Sequence, residues 1–186
     1  MSMIKVWKHL KTITYHKYLV AKGCFKVGLY KQGILHDMSK YSSEEFWVGV
    51  KYFQGNRSPN NAEREDKGYS EAWMHHKGRN KHHYEYWVDY CVKPLPNGDI
   101  MAPAPMPDKY IAEMIMDRIA ACKVYMGKGY KDEDPLNYYY KGTDKAPLHE
   151  ETRAKLLRML EMLAEKGEKE TFCCIRKELV KGTCNK

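Results

Sequence analysis

Long apolar runs, cysteine-pair motifs and nucleotide-binding glycine motifs are all missing from this sequence. No apolar run reaches the ~18–20 residues that a helix needs to cross a bilayer, so we expect no membrane partner. The first 18 residues, MSMIKVWKHLKTITYHKY, are basic, but they lack the apolar centre and small-residue cleavage site of a signal peptide. These absences favour a cytoplasmic protein.

Cysteines are present, but their spacing excludes the usual paired motifs. The six cysteines lie at positions 24, 91, 122, 173, 174 and 184, and none forms a C-x-x-C pair. The adjacent Cys173 and Cys174 suit neither a routine disulfide nor a zinc finger. Reduced thiols, as in a cytosolic protein, are the simplest interpretation.

Strand-like alternation is also scarce, and the sequence contains no internal repeat, Rossmann glycine pattern or P-loop. Apolar residues instead recur at spacings of three and four, which is the pattern of amphipathic helices. A chain of 186 residues is most simply one domain. We therefore predict an all-α, single-domain helical bundle over residues 1–167, followed by a C-terminal tail at 168–186.

The predicted helices are separated by glycine and proline. They cover residues 4–22, 24–35, 43–54, 70–77, 81–92, 108–126 and 149–166, and residues 167–186 read as a weaker helix followed by a tail. Ser70 and Asp108 are the expected N-caps of two of these helices, and Ser42-Ser43-Glu44-Glu45 resembles a capped helix start. The last amphipathic helix is expected to turn Leu156, Leu160 and Leu163 towards the core. Residues 55–69 read as a polar loop with a short helix at 61–67, and 127–147 as another loop. Five prolines exclude a helix interior at 93–107, where a hairpin-like turn around Asn97 and Gly98 is expected.

The formal net charge of +8 favours anionic partners such as phosphorylated metabolites, nucleotides or nucleic acid. Because no basic tail concentrates this charge, it does not single out nucleic acid. A small phosphorylated partner is therefore the first expectation, and the sequence leaves the oligomeric state open.

A dipeptide, His36-Asp37, is the centre of the most informative pattern. It lies in GLYKQGILHDMSKYSSEEF, where a predicted helix ends. Other potential metal ligands precede and follow it along the chain; these are His16, His75, His76, His82, His83 and Asp117. Together with His36, the set contains six of the eight histidines.

Imidazole and carboxylate groups suit Fe, Mn, Zn or Ni, and Mg is also considered, with one or two divalent ions per chain. An aspartate in the middle of a helix, such as Asp117, is costly to bury unless it is paired or bound to a metal. A salt bridge from Asp117 to Lys109, Arg118 or Lys123 is the structural alternative. A single histidine is likewise more often a hydrogen-bonded packing residue than a ligand.

The adjacent pairs, His75-His76 and His82-His83, carry a geometric restriction. Consecutive helical residues point about 100° apart, so one member of each pair usually faces a given site. The sequence does not choose between the two members of either pair.

The order of these residues resembles the HD-domain superfamily of metal-dependent phosphohydrolases, over roughly residues 10–125. In that pattern His16 matches the first histidine, His36 and Asp37 match the HD pair, and Asp117 matches the last aspartate. The four middle histidines match the additional histidines of two-metal members, and Lys40 matches an HD-x-x-K form. Three stretches, LYKQGxxHDxSK, GNRSPxNAERE and HHKGRNKHH, more closely resemble an uncharacterised bacterial family of small HD-like proteins without an established activity.

The resemblance implies a reaction and roles. A divalent ion would bind a phosphate oxygen and activate a water as nucleophile. His16, His36, Asp37 and Asp117 would hold a first ion, and the middle histidines would hold a second or orient the phosphate. Asp37 and Lys40 would be catalytic residues.

Substrate binding is expected from basic side chains. Lys40, Arg57, Arg64 and Arg79 are candidates for phosphate oxygens, and Arg118 is a further one that is more suited to a structural salt bridge. Four aromatic residues near the histidines could stack a nucleobase or pack in the core; these are Trp73, Tyr84, Tyr86 and Trp87.

The predicted function is therefore hydrolysis of a nucleotide or another small phosphate ester. Two alternatives remain open: an HD-like non-haem iron oxidoreductase, and a non-catalytic nucleotide-binding module with a vestigial metal site.

Overall fold

A computed structural model describes residues 2–142 and 145–182, and it confirms the all-α class. Eight α-helices are named here in chain order. They are α1 (Met3–Val27), α2 (Tyr30–Leu35), α3 (Ser43–Tyr52), α4 (Pro59–Lys67), α5 (Glu71–Lys77), α6 (Asp108–Met126), α7 (Asp134–Tyr140) and α8 (Glu150–Ile175). Two short antiparallel strands, β1 (Val88–Tyr90) and β2 (Met101–Pro103), form the β structure of the described residues.

Short 3-10 turns connect several helices. They cover Met38–Tyr41, Tyr84–Trp87 and Gly127–Gly129, and a π-helical turn at Arg176–Val180 follows α8. The turn at Met38–Tyr41 matters most for function, because it follows His36 and Asp37 directly.

The first helix is longer than the sequence predicts. A break at Gly23 was expected, but α1 continues to Val27 and ends at Gly28, whose φ of 93° favours glycine. Gly23 instead serves close packing, since a Cβ atom there would lie 2.7 Å from the Met116 sulfur on α6. The predicted helix at 24–35 is therefore replaced by the end of α1 and the short α2.

The central helix α6 has the predicted bounds, although Pro107 rather than Asp108 occupies its N-cap position. Its residues from Ile111 to Met116 are all buried, so it is surrounded by other elements on nearly every side. The leucines of α8 face it, with Leu156, Leu160 and Leu163 fully buried as predicted. This core fixes the position of α6 and of the carboxylates on it.

Residues 168–182, which lie in the stretch predicted as a weaker helix followed by a tail, are helix and turn. Phe172, Ile175 and Leu179 are buried in the same hydrophobic core as α6 and α8. Gly167 bends α8 before this segment, with a non-helical φ of 74°. The last cysteine, Cys184, lies outside the described residues.

The predicted helix at 81–92 is absent. The chain instead forms a turn in which the Trp87 indole donates to the Lys81 carbonyl at 2.8 Å, and it then enters β1. β1 pairs with β2 in the register Val88 to Pro103 and Tyr90 to Met101, which confirms the expected hairpin around Asn97 and Gly98. Alternating Val88 and Tyr90 favour a strand over a helix at this point.

Smaller differences concern helix ends and loops. The Ser70 cap on α5 is confirmed, because its hydroxyl accepts a hydrogen bond from the Trp73 backbone N–H at 3.0 Å. Helix α3 ends at Tyr52, α4 starts earlier than expected, and α7 lies within the stretch predicted as a loop. Pro135 near the start of α7 is suited to a first helical turn.

None of the helices in the described part of the chain is both long and apolar enough to cross a membrane.

Candidate metal centre

Asp37 occupies a special backbone position. It follows α2 and has φ 52° and ψ 29°, which makes it the only non-glycine residue with positive φ among residues 2–142 and 145–182. Such a conformation is costly for a residue with a side chain and is concentrated at functional sites. The conformation accompanies a buried carboxylate, with only 1% of the residue exposed.

One carboxylate oxygen of Asp37 faces His36, which caps the end of the short α2, and a histidine on the long α1. Asp37 Oδ2 lies 3.2 Å from His36 Nε2 and 3.7 Å from Nε2 of His16 on α1. The Oδ1 atom of Asp117, on α6, completes the group at 2.9 Å from His16 Nε2 and 3.5 Å from His36 Nε2. His16, His36 and Asp117 are called the helical half of the site.

The other oxygen faces histidines from a short helix and the turn after it. Asp37 Oδ1 lies 3.2 Å from Nε2 of His76 on α5 and 3.4 Å from Nε2 of His82. His83 joins them through its Nε2, which is 2.9 Å from His76 Nε2. His76, His82 and His83 are called the loop half, and Asp37 is shared by both halves.

These separations fit metal coordination. Two ligand atoms that are each ~2.1 Å from one ion lie roughly 3.0–3.4 Å apart at octahedral to tetrahedral angles. In each of the two groups, the ligand atoms lie within 4.8 Å of one another. The contacts across Asp37 given above fall at or near the coordination range, so either group could hold an ion.

Buried polar atoms without hydrogen-bond partners also support a metal site here. Within the described part of the chain, His36 Nε2, His82 Nε2 and Asp37 Oδ1 are shielded from solvent without a hydrogen-bond partner, and the equally shielded Asp37 Oδ2 has the Lys40 ammonium beside it. The groups at ion-pair distance from the Asp37 oxygens are four imidazoles, which could ligate the same cation as these oxygens, and the Lys40 ammonium. Buried polar atoms of this kind are rare unless an ion or a function explains them.

A glutamate on α6, Glu113, orients one histidine of each half. Its Oε1 atom lies 2.9 Å from His36 Nδ1 and 3.2 Å from His82 Nδ1. Burial alone would raise the pKa of Glu113, but hydrogen bonds from His36 and His82 hold it below its usual value. Because an ionised carboxylate can only accept, both Nδ1 atoms donate to Glu113, and both Nε2 atoms are left facing Asp37.

A second glutamate, Glu45 on α3, orients the loop half. Its Oε2 atom accepts from His76 Nδ1 at 2.7 Å, and its Oε1 atom accepts from His75 Nδ1 at 2.6 Å. Asn80 and Ser39 also contact His76 Nδ1, each at 3.2 Å. His76 therefore presents Nε2 to the site in the same manner as His36 and His82.

The structure resolves both histidine pairs. His76 joins the cluster, whereas His75 is held by Glu45 and lines a groove beside it. His82 and His83 both join the cluster, contrary to the expectation that one of each pair faces a site. The reason is that residues 80–83 form a turn rather than a helix, so the 100° spacing of helical side chains does not apply.

Lysines neutralise and brace the cluster. Lys40 Nζ lies 2.5 Å from Asp37 Oδ2, and although burial alone would lower the pKa of Lys40, the Asp37 carboxylate raises it. Lys17 donates to the backbone carbonyls of Ile34 and His36 at 2.6 and 2.7 Å, which fixes the chain just before Asp37. Burial would also raise the pKa of Asp37, but the nearby His36 and Lys40 charges hold it well below its usual value.

The arginines proposed for phosphate are placed differently from one another. Arg64 lies 5.4 Å above the Trp73 ring, which in turn contacts the His83 ring at 4.6 Å. Arg57 forms a bidentate ion pair with Glu65 at 2.6 Å, on the exposed surface of α4.

Arg79 lines an open groove of about 450 Å³. The other lining residues are Leu35, Met38, Ser39, Ser42, His75 and Asn80. Since Ser39 and Asn80 also contact His76, the groove adjoins the loop half.

Most of the other residues considered for substrate binding, which are Arg118 and the four aromatic residues, make packing contacts instead. Tyr84 and Trp87 are partly buried against the hydrophobic core, and Tyr86 is at the surface. Arg118 is nearly buried and stacks over the Tyr138 ring at 5.9 Å. Trp73 is the one of the four aromatic residues whose ring contacts two histidines of the cluster, His76 and His83.

Sequence reasoning missed the two glutamates. Glu113 lies four residues before Asp117, so the two share a face of α6, and this spacing was available in the sequence. Glu45 was recognised only as part of a helix start. Nothing in the sequence indicated that it reaches two histidines 30 and 31 positions later.

The fold and the site define an all-helical protein with a buried His/Asp cluster that could hold metal. The model of a family of unknown function, DUF5662, matches residues 5–162. This match spans most of the chain, and the chain belongs to that family. Searches among curated proteins and among solved structures found no match.

Proposed function

We propose that this protein is a metal-dependent phosphohydrolase that acts on a nucleotide or another small phosphate ester. The observation that carries the proposal is the shared Asp37, whose two oxygens each face a separate group of ligand atoms. An aspartate between two ion sites is the arrangement expected of a centre that uses two ions on one phosphate. The HD-like order of the ligands supports the same class.

The donor set favours a transition metal. Five histidines supply nitrogen atoms, and Asp37 and Asp117 supply carboxylate oxygens. Imidazole suits Zn, Fe, Mn or Ni, whereas Mg²⁺ prefers oxygen ligands and several waters. When bound, such ions would supply Lewis-acid activation of a phosphate oxygen and a water of lowered pKa.

Residues of the chain would bind and orient the ester. Lys40 places an ammonium group beside Asp37 and close to the partly exposed Asp117, so it can attract a phosphate oxygen entering there. Arg64 and Arg79 add positive charge around the loop half, through the Trp73 contact and the groove respectively. Arg57 contributes less, because it is already paired with Glu65.

The test combines metal analysis with an activity panel. Protein purified without chelator would be analysed for metals and assayed on mononucleotides, dinucleotides and generic phosphate esters. We expect phosphate release that chelation abolishes and that a divalent transition metal restores. Lys40→Met should keep the bound metal and reduce the rate by about a hundredfold, since it removes one charge aimed at the phosphate.

A matched control is Lys128→Met, which removes an exposed lysine from the turn after α6. It should leave the rate unchanged. Iron with a visible absorption band and no phosphate release would instead indicate the oxidoreductase alternative. Nucleotide binding that survives complete metal removal, again without turnover, would indicate a binding module.

A further inference from the structure

The excess of positive over negative charge in this protein lies almost entirely in the segment that forms its first two helices. Residues 1–36 contain seven of the 32 lysines and arginines and none of the 24 acidic residues. The remaining 150 residues therefore carry 25 basic and 24 acidic residues, which is a net charge of +1. Basic residues are thus spread along the chain, as expected, but the lack of acidic residues in this segment places nearly all of the net excess on α1, α2 and the short link between them.

The exposed side of α1 combines this charge with large apolar side chains. Six of them are exposed, with Met3, Ile4 and Trp7 each more than 60% accessible, followed by Tyr15, Tyr18 and Phe25. Four exposed lysines, Lys8, Lys11, Lys22 and Lys26, lie among them. These ten residues are called the lysine–aromatic face.

The geometry of a helix explains why these residues form one surface. The opposite side of α1 is buried by residues such as Ile13, Val20 and Val27, and it also carries His16 into the metal cluster. At 1.5 Å per residue, the 25 residues of α1 extend the face over ~37 Å. The side chains Tyr15 and Tyr18 stack on each other within it, with their ring centroids 6.5 Å apart.

We propose that the lysine–aromatic face binds the surface of an anionic lipid bilayer, with α1 lying flat in the headgroup region. Lysines that flank exposed Trp, Ile, Met and Phe side chains match a surface that is anionic outside and apolar just beneath. A contact of this kind needs no spanning helix. It also does not depend on the metal centre, which lies on the other side of α1.

Two other occupants fit the face less well. The lysines of the face could contact the phosphates of a nucleic acid, but the exposed apolar side chains Met3, Ile4 and Trp7 have no counterpart on a phosphate backbone. A second copy of the same face would bring lysines against lysines, and no acidic residue of the face could neutralise them.

Co-sedimentation with lipid vesicles tests the proposal. The full chain should bind phosphatidylcholine vesicles that contain about 30 mol% phosphatidylserine in about 0.1 M salt, and bind vesicles of phosphatidylcholine alone at least tenfold less. The triple variant Lys8→Glu/Lys11→Glu/Lys22→Glu should weaken binding about a hundredfold. The control Lys128→Glu/Lys141→Glu/Lys177→Glu makes the same charge change at exposed lysines elsewhere and should weaken it by less than about threefold.

Tryptophan fluorescence gives an independent readout of orientation. Lipids with brominated acyl chains should quench the bound protein, and Trp7→Phe should remove most of this quenching. Trp47→Phe, at a half-exposed tryptophan on α3, should preserve it. The proposal is overturned if the chain does not bind anionic vesicles, or if both triple variants lose binding equally. It is also overturned if a DNA duplex, supplied at the same concentration of negative charge as the vesicles, binds the face more tightly than the vesicles do.

Discussion

The two halves of the candidate metal centre are built in different ways. The helical half takes His16 from the 25-residue α1 and Asp117 from the 19-residue α6, and both helices pack along the hydrophobic core. The loop half takes His76 from the seven-residue α5 and two histidines from the turn that follows it. Long buried helices hold side chains by packing, whereas a short helix and a turn need hydrogen bonds to do so.

The hydrogen bonds around each half show this difference. In the loop half, Glu45, Ser39 and Asn80 all converge on one nitrogen of His76. In the helical half, His16 is aligned by α1 itself and bonds to the Asp117 carboxylate, while Glu113 on α6 holds His36 as it also holds His82 of the loop half. We infer that the helical half retains its geometry, and its ion, more readily when contacts are removed.

The largest effect is expected where the halves meet. Asp37→Ala removes the only residue common to both groups, so both ions should be lost and phosphate release should stop. Elemental analysis of the purified variant checks this, with circular dichroism to establish that the helices remain. Asp89→Ala, at an exposed position on β1, is the matched control and should keep full metal content.

Removing one ligand from a single half should cause the loss of that half's ion while the other ion remains bound. Asp117→Asn should lose the ion of the helical half, and His83→Gln should lose that of the loop half, each leaving about one ion per chain. The comparison is contradicted if both variants lose all metal, because the halves would then be one inseparable site. Isothermal titration with Co²⁺, together with its visible spectrum, distinguishes one remaining ion from none.

The glutamates that orient the histidines should have smaller and unequal effects. Glu113→Gln touches a histidine of each half, so the affinity for both ions should fall about 10–100-fold. Glu45→Gln should weaken only the ion of the loop half, by a similar factor. A metal competition assay with a chromophoric chelator measures both affinities.

Glu63→Gln serves as the control for both glutamate variants. Glu63 is equally buried, but it accepts hydrogen bonds from Ser70 and Lys67 rather than from a histidine. A loss of metal affinity in this variant would show that buried carboxylates affect the site only through general stability.

The smallest effect is expected at His75. His75→Gln should leave the number of bound ions unchanged and alter affinity by less than about threefold, since its ring contacts Glu45 and not Asp37. The equivalent change one residue later, His76→Gln, should lose the ion of the loop half. Equal behaviour of the two variants in metal analysis would contradict the assignment within this pair.

Much of this arrangement could be predicted from the sequence, because the spacing of apolar residues predicts long amphipathic helices well. The bounds of α6 and the core leucines of α8 follow from apolar spacing, and the structure brings His16, His36, Asp37 and Asp117 together as the motif order suggests. These residues depend on helix packing, which a pattern of apolar residues largely determines.

The loop half was harder to predict for a physical reason. Its geometry depends on a turn closed by side chains, such as Trp87 to the Lys81 carbonyl, and on Glu45 reaching across from α3. Periodicity carries no information about such long-range hydrogen bonds, so a helix was expected at 81–92. The left-handed backbone at Asp37 was equally invisible, because aspartate adopts this conformation only occasionally and the sequence does not mark which aspartate will do so.

The central claim is that Asp37 lies between two ions. Anomalous diffraction from crystals of the metal-loaded protein, recorded at the absorption edge of the bound metal, tests it most directly. The account predicts two peaks, one within about 2.5 Å of each Asp37 carboxylate oxygen, among His16, His36 and Asp117 on one side and His76, His82 and His83 on the other. A fully loaded crystal with no anomalous peak near Asp37 would contradict it.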